Sequence, residues 1–213
     1  MSEETTTASA AQGPDFERNK KRSRRNFLMI VAVAVLPVMA AYIMFFTGIG
    51  VPGNTVNKGE LLGQPISMEA LLPDDVWQTI SADKKWRVFL PVDATCNARC
   101  EENFYTTRQV HIRLGEKSAR VERYALNLDG AAGEAYLAGI AEDHPQLKTA
   151  SVDGAQWREW SAPLAVYKED RDNHFYLLVD QEGFAMMVYT DQHGNDLLKD
   201  LKRALKYSID FQN

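Results

Sequence analysis

The chain is poor in the residues from which active sites are usually assembled. It has two cysteines and four histidines among 213 residues. It contains no Ser/His/Asp arrangement, no glycine-rich phosphate loop and no metal-hydrolase motif, so the residue patterns of a hydrolase or a nucleotide enzyme are missing. It has no excess of positive charge: 24 Lys and Arg face 29 Asp and Glu, for a net charge of -5. A protein that grips nucleic acid needs a basic face to neutralise phosphates, so no nucleic-acid partner is expected. No internal repeat is visible. No small-x-small cleavage site follows the one long apolar run, which argues against a cleaved signal peptide.

That apolar run is the first positive feature. Residues 1–17 are rich in Ser, Thr, Ala and Glu and are expected to be disordered. Arg18, Lys20, Lys21, Arg22, Arg24 and Arg25 follow, and then Phe27 to Ile49 runs without a single charge. At about 1.5 Å per residue such a helix covers a hydrocarbon core of about 30 Å. Pro37 falls mid-span, where membrane helices tolerate it. Positive charge just before the span places the N-terminus in the cytoplasm and the rest across the membrane, in the periplasm of a bacterial cell. The expected layout is a disordered basic cytoplasmic tail over 1–26, a transmembrane helix over 27–49, a linker over 50–60 and one domain over 61–213. Ser23-Arg24-Arg25-Asn26-Phe27-Leu28 also resembles a twin-arginine export motif, which leaves that route open beside the signal anchor.

Beyond Gly50-Val51-Pro52-Gly53 the pattern alternates between strands and helices. Leu61 to Leu72 reads as a short extended segment broken by Pro65 and Pro73. Trp86 to Val92 reads as the first core strand, and Asn97 to Leu114 as a helix stopped by Gly115. Arg120 to Leu128 alternates at period two, as a strand does. Gly130 to Glu142 has helical spacing, and Leu147 to Val152 suits a short strand. Trp157 to Pro163 gives no clear signal. Phe175 to Val179 and Phe184 to Tyr189 flank Asp180-Gln181-Glu182-Gly183 as a hairpin. Asn195 to Tyr207 is an amphipathic helix with Leu197, Leu198, Leu201, Ala204 and Leu205 on one face.

Strand, helix, strand, helix, short strand, hairpin, helix is the thioredoxin order, so an α/β thioredoxin-like domain is expected, with a central mixed sheet and flanking helices. The two cysteines, Cys96 and Cys100, stand where that fold carries its reactive pair: after the first core strand, at the start of the first long helix. If Cys96 caps that helix and Cys100 lies in its first turn, both sulfurs point to one side. A helix N-terminus favours the thiolate, as do nearby cations, and Arg99 is adjacent in sequence. Thiolates suit soft Cu(I) and can equally cycle between dithiol and disulfide. A purely structural disulfide is the remaining reading; closing so short a loop contributes roughly 2 kcal/mol on the chain-entropy estimate.

With that order in place, the chain resembles the SCO/SenC family, membrane-anchored thioredoxin-fold proteins that assist assembly of the copper site of cytochrome c oxidase. The resemblance rests on the single N-terminal anchor, the C-N-A-R-C spacing and the segment Y-L-L-V-D-Q-E-G-F-A-M-M-V-Y. The chain is similar, more specifically, to a divergent branch of small proteobacterial transmembrane proteins. That likeness lies in R-Q-V-H-I-R-L-G, R-V-E-R-Y and L-L-K-D-L-K-R-A-L-K. The resemblance implies Cys96 and Cys100 as the reactive pair and as ligands of Cu(I), with a distal histidine as third ligand. It implies the oxidase subunit or its assembly factors as partners. His174 is the nearest candidate for that histidine. The sequence departs from the family in three places: Asn97 and Glu101 stand where prolines usually flank the cysteines, and His174 falls about two residues nearer the hairpin aspartate. A metal-independent periplasmic thiol-disulfide oxidoreductase and a non-catalytic scaffold remain as alternatives.

The other candidates have simpler readings. His111 is expected on a helix surface or in the core, His144 at a helix end before Pro145, and His193 in a turn. Met186 and Met187 could ligate copper through their thioethers, but they fall in an apolar strand where packing is the default. Trp77, Trp86, Trp157 and Trp160 are expected to pack.

Overall fold

In a computed structural model of the chain, residues 14–47, 56–167, 175–190 and 194–208 are described. The chain divides into two compact units, residues 1–54 and 55–213. The described residues of the first form one helix, α1, from Pro14 to Thr47. Its segment Arg22–Thr47 is long and apolar enough to cross a membrane. Phe27, Leu36, Phe45 and Phe46 all point outward, as they would toward lipid. The helix begins earlier than the composition suggests, so residues 14–26, expected as disordered tail, are helical. Proline is well suited to a helix start, and the Lys, Arg and Glu that follow are good helix formers. Once the apolar helix is nucleated, extending it costs little.

The second unit is a six-stranded sheet in the order β1-β6-β5-β2-β3-β4. Its strands are β1 (Glu60–Ser67), β2 (Trp86–Val92), β3 (Val121–Asn127), β4 (Leu147–Ser151), β5 (Tyr176–Val179) and β6 (Phe184–Tyr189). The helices are α2 (Asp74–Asp83), α3 (Ala98–Arg113), α4 (Gly130–Ile140), α5 (Gly154–Trp160) and α6 (Gly194–Tyr207). β2, β3 and β4 are parallel, while β5, β6 and β1 extend the sheet antiparallel from the other side of β2. β2 is buried on both faces, which is why it reads as a near-continuous apolar run, whereas β3 alternates in residue type yet buries polar Arg123 and Asn127 as well.

Alternate residues of these strands feed two cores. On one face Phe89, Tyr124, Leu126, Leu177 and Val179 meet Ile80 of α2 and Trp157 and Trp160 of α5. On the other, Val88, Leu90, Val92, Ala125, Tyr176 and Leu178 meet Phe104 and Val110 of α3, Leu137 of α4 and Leu197, Leu201 and Leu205 of α6. The result is a three-layer α/β thioredoxin-like domain, as expected. Trp157 and Trp160 are packing residues, and Trp160 also donates to Ser67 O at 2.7 Å.

Three features depart from the expected layout. The segment 74–83 forms α2, with Asp74 and Asp75 in its first turn and Lys84 in the left-handed region at its end. The extended segment from Leu61 is the edge strand β1, whose register slips between Leu61 and Ile66, around Pro65. Proline cannot donate to a ladder and is tolerated at an edge or a bulge. Lys58 and Gly59, inside the segment expected to be linker, donate their backbone N–H groups to Asp200 and so belong to the domain.

The β5–β6 turn is closed by Asp180, whose carboxylate accepts from Glu182 N at 3.0 Å and Phe184 N at 2.9 Å. Gly183 sits there at φ 87°, and a Cβ on it would lie 2.5 Å from the Trp77 ring. A side chain at this position meets both backbone strain and a packed indole. We expect Gly183→Ala to destabilise the domain by about 2 kcal/mol, measured as a shift of the urea midpoint with an unchanged slope.

Candidate dithiol site

β2 delivers the chain to the C-terminal edge of the parallel strands, where Leu128 N donates to Val92 O at 2.9 Å. The turn that follows is built by short polar side chains. Asp93 Oδ1 accepts from Thr95 N at 2.9 Å and Thr95 Oγ1 at 2.8 Å. Asp129, at the end of β3, accepts from Ala94 N at 3.4 Å. Asn97 then caps α3: its side-chain oxygen accepts from Arg99 N at 3.1 Å and Cys100 N at 3.2 Å.

Cys96 and Cys100 are joined by a disulfide with their Cα atoms 5.3 Å apart. The two sulfurs do meet on one side of the helix start, but Cys96 is not the cap. It stands one residue before Asn97, because a carboxamide oxygen accepts backbone N–H groups far better than a thiol does. Cys100 is 5% exposed and packs with Phe104 and Val92 in the core under α3. Cys96 is only half-buried and lies against the edge of that core. The pair therefore has one reachable sulfur and one sheltered sulfur.

The remaining candidates lie elsewhere. His174 and His193 fall outside the described residues, so the expected third copper ligand does too. His111 sits on α3 with Nε2 2.9 Å from Val121 O, and the His144 ring packs on Phe104 with centroids 5.8 Å apart. Burial, then the charges of Arg123 and Arg108, lower the His144 pKa. Met187 is buried, with Sδ 3.6 Å from the Tyr189 hydroxyl, and Met186 is partly buried against the same core. No group of three or more His, Cys, Asp or Glu side chains comes together among the described residues. The structure adds Asn97, Asp93 and Asp129 as the residues that shape the turn. Asn97 was legible as a helix start, because Asn immediately before an apolar helical pattern is a capping signal. Asp129 was not, since only the parallel pairing of β2 with β3 brings it to the turn.

The family described as transmembrane-like, thioredoxin-like, C-terminal domain matches residues 86–208. No curated protein matches the chain. Among solved structures, yeast Sco1 with copper bound is 15% identical, covers 71% of this chain and 96% of its own, and superposes with a TM-score of 0.51. Arabidopsis thaliana ScoI with copper bound is 14% identical over 69% of this chain and 99% of its own, at a TM-score of 0.50. A second yeast Sco1 structure is 13% identical over 70% of this chain and 97% of its own, at a TM-score of 0.51. At such identities the likeness is one of fold.

Proposed function

Since this chain belongs to the transmembrane-like, thioredoxin-like family, we propose that it is a membrane-anchored, SCO-like thiol–disulfide protein that keeps the copper-site cysteines of a cytochrome c oxidase subunit reduced. The observation that carries this reading is the asymmetric pair, half-buried Cys96 and buried Cys100, bonded at the start of α3. In the reduced protein the Cys96 thiolate attacks one sulfur of the target disulfide, and the other target sulfur leaves as a thiolate and takes a proton. The Cys100 thiolate then attacks Cys96, releasing the reduced target and forming the Cys96–Cys100 bond. Two electrons pass to the target, and an upstream dithiol reductant restores the pair. The oxidised state of the pair is the product of that cycle.

Cu(I) delivery is the second reading, favoured by the copper-bound Sco structures of the same fold. The reduced pair supplies two soft thiolates, and His174 is proposed as the third ligand of a trigonal site. Copper is cargo in this reading. The apolar part of α1 from Phe27 onward is proposed as the single anchor, with the basic run before it in the cytoplasm and the domain in the periplasm.

The test uses the full chain in detergent micelles, equilibrated against glutathione buffers. A redox role predicts a reduction potential of about −120 to −270 mV. A pair that stays oxidised in a large excess of reduced glutathione would rule the role out. Copper delivery predicts one Cu(I) per reduced chain in competition with a Cu(I) chelator, lost when both cysteines become serine. Exchange without copper retention leaves the metal-independent reading.

A further inference from the structure

Glu122 and Arg123 are neighbours on β3 and therefore point to opposite faces of the sheet. Glu122 has ample company. Lys148 Nζ lies 2.7 Å from it, Lys85 Nζ 3.1 Å and Arg87 Nε 3.4 Å. Burial pushes its carboxyl up, but Lys148 and Lys85 more than offset this and hold it at about 2. Among the described residues Arg123 has no such counterpart. It is 2% exposed, and it donates from Nε to Thr107 Oγ1 at 3.2 Å and from Nη2 to Phe104 O at 2.9 Å and Thr107 Oγ1 at 3.0 Å. These bonds satisfy N–H groups and cancel no charge. A buried guanidinium without an anion is costly to keep.

A second guanidinium faces the same space. Arg123 and Arg108 line a cavity of about 160 Å³ together with His111 and His144. Burial, and then the charge of Arg108, lower Arg123 to about 10. His111 Nε2 is 2.9 Å from a carbonyl oxygen and so carries its proton toward Val121. His144 Nδ1 is buried with no hydrogen-bond partner. Arg123 and Arg108 also bear on His144, opposed only by Asp143. The cavity is therefore positively charged and built from α3, β3 and the loop after α4, and among the described residues no carboxylate lines it. Arg108 lies about 12 Å along α3 from Cys100 at the helical rise, so the cavity is separate from the dithiol.

We propose that this cavity binds a small phosphate-class oxyanion between the guanidiniums of Arg108 and Arg123. Its size sets the class: about 160 Å³ is a few times the volume of one liquid water, roughly 30 Å³. That is room for a phosphate group. Guanidinium donors match oxyanion geometry in pairs, and two of them supply the charge such an ion needs. The bound anion offsets the field that Arg108 and Arg123 impose on His144, so binding and protonation of His144 are linked.

The experiment takes the full chain in maltoside micelles, with histidine rings isotopically labelled and His144 assigned by loss of its signal in His144→Gln. Sodium phosphate and sodium acetate are titrated at equal ionic strength. Phosphate is expected to move the His144 ring signals saturably and to shift its titration to higher pH, while acetate has little effect. Arg108→Gln, at a half-exposed position that should not disturb folding, is expected to weaken phosphate binding at least tenfold, and Arg108→Lys to recover part of it. Equal responses to phosphate and acetate, or an unchanged affinity in Arg108→Gln, would overturn the proposal. A parallel series adds phosphatidic acid to the micelles in place of phosphate. The same His144 response there assigns a lipid headgroup as the source, and its absence beside saturation by inorganic phosphate assigns the free ion.

Discussion

Cys100→Ser is expected to accumulate as a mixed disulfide with its target through Cys96, and Cys96→Ser to form none. The asymmetry of the pair dictates this outcome. Cys96 is half-buried beside the helix start, so an incoming disulfide can reach it, whereas Cys100 is held in the core with Phe104 and Val92. A serine hydroxyl is not a nucleophile toward disulfides near neutral pH, so Cys96→Ser loses exchange down to the uncatalysed background. In Cys100→Ser the first attack still proceeds, but no second thiolate resolves the intermediate. Non-reducing gels of membranes carrying each variant, probed for a band shifted by the mass of a partner, report the difference. A structural disulfide gives another pattern: the two single variants then behave alike, each losing about 2 kcal/mol of stability with no trapped adduct. Trapping from Cys96→Ser instead of Cys100→Ser would reverse the assignment of the attacking sulfur.

The dithiol was legible because its determinants are local. Val88, Phe89 and Leu90 announce a buried strand, Asn97 announces a helix start, and the cysteines stand between and just beyond them. Elements with strong periodicity were equally plain: α6 carries its leucines on one face, and β5 and β6 flank a turn that Asp180 and Gly183 mark. What escaped were elements defined by their neighbours. α2 has Val76, Trp77 and Ile80 as its only large apolar residues, and its helix is explained by Trp77 and Ile80 packing against Gly183 in the β5–β6 turn. β1 is interrupted by Gly63 and Pro65 and becomes a strand because β6 offers it an edge. The basic tail reads as disordered in isolation and is helical as the extension of α1. The charged cavity was the least legible feature. Arg108 and Arg123 look like ordinary solvated cations in sequence, and only the packing of α3 on β3 shows that Arg123 is buried, with no carboxylate partner among the described residues. A third copper ligand is a different case, because His174 was identified by resemblance and lies outside the described residues.

The largest expected loss of stability away from the cysteines is at Asp200, on the buried side of α6. Asp200 is 2% exposed, and its carboxylate is fully used: it accepts from Lys58 N at 2.8 Å, Gly59 N at 2.9 Å and the Tyr189 hydroxyl at 2.9 Å. It thereby ties three separate stretches together, the approach to β1, the end of β6 and α6. Burial, then the Asp200 charge, push the Tyr189 phenol well above its usual value, so it stays a donor at any working pH. The tie is tight sterically as well, since a Cβ on Gly59 would fall 2.5 Å from the Tyr189 ring. Asp200→Ala removes the acceptor and leaves two backbone N–H groups and a phenol buried without partners. At about 1–3 kcal/mol for each orphaned donor, less what local rearrangement and water recover, a net loss of about 3–4 kcal/mol is expected. Asp200→Asn keeps the shape and one acceptor oxygen but turns the other toward the donors as an N–H₂ group, so it should lose about 2 kcal/mol. Urea unfolding of the full chain in micelles, followed by tryptophan fluorescence, gives both numbers. Hydrogen exchange adds a local readout, because the amides of Lys58 and Gly59 should lose protection in Asp200→Ala while those of β2 and β3 lose it only through global unfolding. If Asp200→Ala unfolds at the wild-type midpoint, the carboxylate is not what holds the approach to β1, and Arg203, which donates to Val56 O at 2.9 Å, becomes the residue to replace.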